Sequence, residues 1–189
     1  MELVYTAEYV ENFDGGIKEG GEYRGDLSMF IELDTAKASW WKNGEFFIHI
    51  QEQHGDGITE RYVGDLQGVS NIDADDFLQI SEFWYTHYFM DERLWLKLGK
   101  QEANADFAYV ENGGEFINSS AGFSPSIPLT SYHDQDFGAV LGIDVNKQLG
   151  FKMGAYQAHP NGSRSLGNTI EKLYGPMWMM EPTIHYSLN

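Results

Sequence analysis

Cysteine is absent from the 189 residues, so disulfides and thiolate metal sites are excluded and the redox compartment stays open. Cations are scarce: 12 Lys and Arg stand against 29 Asp and Glu, a net charge of -17. Nucleic-acid binding, which needs a basic surface to neutralise phosphates, is therefore excluded, and so is docking on an anionic leaflet. No apolar run reaches the ~18 residues of a transmembrane helix. Strands that cross a membrane escape this test, because their alternation hides hydrophobicity from any averaged scale. The six histidines include no H-E-x-x-H pair, and there is no glycine-rich phosphate loop or nucleophile elbow, so enzyme chemistry and cofactors have no motif to stand on. The start "MELVYTAEYV" lacks a basic segment followed by an apolar one, so no export signal is visible. For an exported protein that start is expected to be a mature or truncated one.

What the chain has is aromatic residues (15%), 21 glycines and a pervasive period of two. Alternation of apolar and polar residues marks a strand with unlike surroundings on its two faces. Eight such segments are predicted, beginning near 3–11, 23–34 and 44–54. In the second, Leu27, Met29, Ile31 and Leu33 oppose Asp26, Ser28 and Glu32; in the third, Phe46, Ile48 and Ile50 oppose His49, Gln51 and Gln53. The fourth, "LQISEFWYTHYF", carries aromatics on both sides; Phe83 and Tyr85 are assigned to the apolar face, and Glu82, Trp84 and Thr86 to the polar one. "ERLWLKLGKQ" opposes Leu94, Leu96 and Leu98 to Trp95 and Lys97. "DFGAVLGIDV", "LGFKMGAYQ" and "MWMMEPTIHYSLN" complete the set, with Pro182 pointing to an edge or a bulge in the last.

The connections alternate in length. "MDER" and "NKQ" are tight turns, whereas "GDGITERYVGDLQGVSNIDADD", the stretch from Gln101 to Gln135, and "HPNGSRSLGNTIEKLYGP" are long. Plain turns at one end and elaborate loops at the other characterise an up-and-down membrane barrel. A soluble β-sandwich mixes loop lengths but is not expected to sort them by end. "DTAKASWWKNGE" is the exception, longer than its place in the alternation predicts.

"RYVGDLQGVSNIDA", "EFWYTHYFMDERLWLKLGKQEANADFA" and "GEFINSSAGFSPSIP", in that order, resemble the carbohydrate-selective outer-membrane porins of the OprB family. The opening "YTAEYVENFDGGIKEGGEYRGDL" and the closing "IHYSLN" resemble further pieces of the same family. The resemblance implies an all-β, antiparallel transmembrane barrel of about sixteen strands in the bacterial outer membrane, a passive diffusion channel for small neutral sugars. It implies no catalysis and no cofactor; the partners are sugar and lipid, and the oligomer a monomer or a trimer. About eight strands are present, so residues 1–189 are expected to form one partial-barrel segment, a fragment of a larger barrel. The composition of the polar faces agrees. Glu8, Asp26, Glu32, Glu82, Asp144 and Glu181 face only Lys97 and Lys152, too few cations for a dry interior but tolerable along a watery passage. The competing reading is a soluble carbohydrate-binding or carbohydrate-cleaving β-sandwich.

Sugar contacts need ring faces beside hydrogen-bonding groups, and Glu82, Trp84, Trp95 and Lys97 supply both from adjacent strands. The plainer role for Trp84 is a place in an aromatic girdle, and for Lys97 a solvated wall charge. The Gln101–Gln135 connection is too long to be idle; by analogy with porins it is expected to fold inward, with Asn104, Asp106, Asn118, Ser119 and Ser120 at the polar edge of a constriction. An external flap over the mouth is the alternative. Gly138, Gly142, Gly150 and Gly154 leave a shallow wall on which a loop could lie, or simply permit curvature. Asn71, Asp73 and Asp75 have the alternating spacing of calcium ligands but lack the glycine and distal glutamate of an EF-hand, which favours a solvated acidic loop. A glycosidase pair built on Glu82 would need a partner carboxylate that no motif supplies.

Overall fold

The protein is described by a computed structural model covering residues 1–118, 122, 130, 134–157 and 175–186. Eight strands follow in order: β1 (Glu2–Asn12), β2 (Gly20–Asp34), β3 (Gly44–Gly55), β4 (Phe77–Phe89), β5 (Leu94–Gln101), β6 (Asp136–Asp144), β7 (Leu149–Gln157) and β8 (Pro176–Ile184). Each pairs antiparallel with the next, giving one open up-and-down sheet in sequence order. There is no second layer of strands among the described residues, so the β-sandwich alternative is corrected: the leucines of β5 are not sealed between stacked sheets. Pro182 lies opposite Phe151 in β8, the last strand of the described sheet.

Burial is inverted relative to a soluble protein, in which lysine and glutamine are mostly exposed and leucine buried. The fully buried side chains include Lys100, Gln51, Gln53, Gln101, Gln135 and Asp136, while Leu3, Leu27, Leu78, Phe83, Leu98, Leu141, Trp178 and Met180 are exposed. Pairing aligns the apolar positions in rows, as in Leu3, Met29, Ile50 and Ile80 across β1 to β4. The alternating polar positions form the opposite face, here termed the inner wall. The parity predicted for β2 and β3 is the one observed.

β4 is ambiguous in sequence because it changes parity. The β3–β4 register slips between His49 and Ile50, so that Gln51 faces Gln79 but His49 faces Glu82, with Ser81 as the extra residue. Such a bulge moves every later side chain to the other face. Gln79 and Ser81 therefore point inward before it, and Glu82, Trp84 and Thr86 after it, as predicted. Lys100, wholly buried, donates from Nζ to the Ile80 carbonyl at 2.8 Å beside this slip.

The long 35–43 turn also has a cause. Thr35 Oγ1 donates to the Trp41 and Gly44 carbonyls at 2.6 and 2.9 Å, and Asp34 Oδ1 accepts from the backbone N–H groups of Ala36 and Lys37. The extra length folds Trp40 and Trp41 back onto the apolar face, where Trp41 Nε1 donates to Tyr85 Oη at 2.6 Å and packs edge-on to Phe46. His87 and Phe89 extend this aromatic belt. A second belt lies toward the long-loop end, where the Tyr5 and Tyr23 hydroxyls meet at 2.7 Å and Tyr5 stacks on His54.

Candidate functional site

Three rows of inner-wall residues cross β4 to β8. The first is Trp84, Gly99, Gly138, Tyr156 and Met177; the second Thr86, Lys97, Val140, Gly154 and Met179; the third Tyr88, Trp95, Gly142, Lys152 and Glu181. Large rings alternate with glycines, and the reason is space. A Cβ at Gly142 would overlap the Trp95 indole, one at Gly138 the Tyr156 ring, and one at Gly154 the Phe107 ring. Glycine lets each ring lie flat against the wall.

Phe107 comes from the segment that follows β5. After Gln101 the chain makes one helical turn, Ala103–Asp106, and folds back over the wall it has just left. Ala103 and Phe107 are buried with Val140 and Tyr156 in a small apolar patch, to which Trp95, Met177 and Met179 contribute. Around that patch the polar contacts form a clamp. Lys97 Nζ donates to Asp106 Oδ2 at 2.8 Å, Lys152 Nζ donates to the Asp106 carbonyl, and Lys152 pairs with Glu181 at 2.7 Å. Glu181 Oε2 also accepts from Ala108 N at 2.9 Å, and Glu82 Oε2 from Glu102 N at 3.2 Å. Five consecutive strands thus hold residues 102–108 against the wall.

Trp84 is heavily engaged: its Nε1 donates to Glu82 at 3.2 Å, its ring stacks on Phe47 with centroids 4.8 Å apart, and the Lys97 ammonium sits 4.7 Å from its centroid. Lys97, only 7% exposed, is an anchor between Trp84 and Asp106 rather than a free wall charge. Glu82, Trp84, Trp95, Lys97, Asn104 and Asp106 are thus gathered in one region. Asn118 is elsewhere, its amide donating to the Gly68 carbonyl and so tying the β5–β6 connection to the β3–β4 loop, alongside Asn71 N to the Ile117 carbonyl at 2.8 Å. Ser119 and Ser120 lie outside the described residues.

Two of the three calcium candidates, Asn71 and Asp73, are engaged by protein groups. Asp73 Oδ2 accepts from Thr59 N at 3.0 Å, its Oδ1 faces Arg24 at 3.6 Å, and the Asn71 amide donates to the Phe116 carbonyl. Among the described residues no three acidic or histidine side chains are arranged to hold a metal ion. What sequence reasoning missed is Phe107 and the Lys152–Glu181 pair. The available signal was the run of inward glycines opposite bulky residues on neighbouring strands.

The family described as "Carbohydrate-selective porin, OprB family" matches residues 18–185. Among solved structures, a high-pH structure of Pseudomonas putida OprB is similar, with a TM-score of 0.81 and 18% identity over 98% of this chain and 48% of that chain. The chain therefore spans about half the length of that structure, and at such identity the likeness shows the fold: an open sheet of transmembrane β-strands that follows part of a barrel wall. No curated protein matches the chain. The family match, the eight-stranded meander and its inverted burial agree, and the chain belongs to the carbohydrate-selective porin family OprB.

Proposed function

We propose that the chain forms one wall of an outer-membrane channel through which small neutral sugars diffuse passively, without catalysis. The observation that carries this reading is the pair of unlike faces: an exposed apolar band bounded by two aromatic belts, and a polar inner wall onto which a loop segment is clamped. From Phe46 to His54 the strand rises about 27 Å at ~3.4 Å per residue. A tilt of 35–45° reduces this to about 20 Å of height, near the ~25 Å apolar band of outer-membrane barrels. The free ladders of β1 and β8 cannot face hydrocarbon, so residues 1–189 work as a single wall segment within a closed barrel.

Residues 102–108 narrow the passage, with Glu82, Trp95, Asn104 and Asp106 offering hydroxyl partners and ring edges to a passing sugar. Trp84 and Lys97 act chiefly by holding that segment. Lys97 and Lys152 are engaged by Asp106 and Glu181 and Lys100 is fully buried, so the net negative charge of the chain governs the passage and disfavours anions. Swelling of vesicles carrying the channel tests this: glucose is expected to enter faster than glucose 6-phosphate. Equal entry, or a reversal potential showing anion selectivity, sinks the reading.

A further inference from the structure

Residues 102–108 are held to the wall by two kinds of contact that respond differently to protons. At each end, and once between, the holding group is a carboxylate. Glu82 Oε2 on β4 accepts from Glu102 N at 3.2 Å, Asp106 Oδ2 accepts from Lys97 Nζ on β5 at 2.8 Å, and Glu181 Oε2 on β8 accepts from Ala108 N at 2.9 Å. The other contact is apolar: Ala103 and Phe107 are buried with Val140 and Tyr156, and acid leaves that packing as it is.

An ionised carboxylate only accepts, and a bond to it is roughly twice as strong as one between neutral groups. Protonation therefore weakens all three ties together, while the lysines keep their charge. Lys97 loses its counter-charge at Asp106 and Lys152 its own at Glu181, 2.7 Å away. Lys97 is the more deeply buried of the two, and an unpaired charge at such a place is costly. Lifting the segment lets water reach both ammonium groups and removes that cost.

Other charged or titratable groups face the three carboxylates. Lys97 and Asp106 face Glu82, and His49 Nδ1 lies 4.0 Å from Glu82 Oε1. Tyr88 and Tyr156 face Asp106, and Tyr156 is also faced by Glu82 and by Glu102 of the segment itself. Phenols do not change charge in acid, which leaves His49 as the rival sensor among the described residues.

We infer that residues 102–108 form an acid-released strap. With Glu82, Asp106 and Glu181 ionised the segment lies on the wall; when they take up protons both ends lift while Phe107 stays seated, and the passage widens. The strap rests on the reading that this segment narrows a channel, yet its release can be followed without any flux.

The chain has no cysteine, so Ala105→Cys, at an exposed position of the segment, carries a single nitroxide whose mobility is read by electron paramagnetic resonance. The whole chain is folded in detergent micelles. Lowering the pH from about 7 to about 3.5 is expected to shorten the label's rotational correlation time ~3-fold or more, with β circular dichroism unchanged. The combination of Glu82→Gln, Asp106→Asn and Glu181→Gln, which keeps the acceptor oxygens but not the charges, is expected to be mobile already at neutral pH and to gain little in acid. If that variant fails to fold, Glu181→Gln alone decides, since its side chain is 32% exposed and the substitution leaves the apolar patch intact. It is expected to raise mobility at neutral pH and to shrink the acid response. His49→Gln is expected to keep the response. A label equally immobile at both pH values, mobility that appears only as circular dichroism is lost, a wild-type response in the Glu181→Gln protein, or loss of the response in His49→Gln would each overturn the strap. Vesicle swelling with the same protein separates the two readings: acid-dependent mobility without sugar entry at either pH leaves the strap standing and removes the porin reading.

Discussion

Lys97 Nζ and Asp106 Oδ2 are 2.8 Å apart, although the two residues belong to a strand and to the segment that leaves it, so the chain is tied back onto the wall from which it departs. Both side chains are largely buried, at 9% and 13% exposure. Removing one partner from such a pair strands the other charge, at a cost of about 3 kcal/mol, whereas replacing both with apolar groups is far milder. Lys97→Met is therefore expected to loosen residues 102–108, seen as faster protease cleavage in that segment and a larger channel conductance. Lys97→Met with Asp106→Leu should recover most of the lost stability. If the single substitution leaves cleavage and conductance as they were, the clamp has no role in setting the passage.

Gly154 makes a steric prediction. Phe107 occupies the space that a side chain there would need. Gly154→Val is expected to lift Phe107 from the wall at a cost of ~1–3 kcal/mol of strain. Phe107→Ala in the same protein should relieve part of it, because the collision is then gone. Thermal unfolding in detergent measures both, and full additivity of the two substitutions would argue against contact.

Much of this architecture is readable as alternation, because a strand between unlike solvents must change character at every residue. The β5 leucines, the β2 and β3 faces and the loop ends follow from that rule alone. The rule fails where the backbone breaks its own period. Ser81 flips β4 parity without any glycine or proline to announce it, and Lys100 is buried where a charge is least expected. Lys97 and Trp84 could be placed by parity, and Asp106 by the length of a connection expected to fold inward, but Phe107 had no such signal, because it packs on Val140 and Tyr156 along a path set by the shape of the wall beneath it.

Tyr62 provides a pH-dependent tie between two loops. Its carbonyl accepts from Ile17 N at 2.7 Å and Lys18 N at 3.2 Å, and its hydroxyl donates to Glu22 Oε1 at 3.0 Å. The Glu22 hydrogen bond, followed by the partial withdrawal of the phenol from water, raises the Tyr62 pKa above its usual 10.0. A raised value means that the contribution is fully present below about pH 10 and is lost as pH climbs through the folded-state value. Ultraviolet difference titration of wild type against Tyr62→Phe is expected to show one tyrosine ionising later than the exposed ones. Glu22 also raises Arg61 through a second hydrogen bond, from Nη1 at 2.9 Å, with the Asp56 charge adding to it. Glu22→Gln should therefore return Tyr62 toward its ordinary titration; an unchanged curve would mean that the phenol is not held by Glu22.

Ile50 and Val4 separate lipid from water at one level of the sheet. Ile50 lies on the apolar face in the row with Leu3, Met29 and Ile80, midway between Phe46 and His54 and hence between the aromatic belts. Val4 is in the adjoining row with Ser28 and Gln51, on the inner wall, and is itself exposed. A lysine introduced at the middle of a lipid-facing band costs ~2–4 kcal/mol, while one turned toward a watery passage keeps its hydration and costs little. Ile50→Lys is accordingly expected to reduce folding into phosphatidylcholine vesicles by that amount, and Val4→Lys by less than about 1 kcal/mol. In a soluble sheet with solvent on both faces the two substitutions would cost nearly the same, since both would place an ammonium group in water. Equal and small losses would therefore contradict the membrane-spanning reading, whereas a loss confined to Ile50→Lys assigns hydrocarbon to the face that carries the leucines.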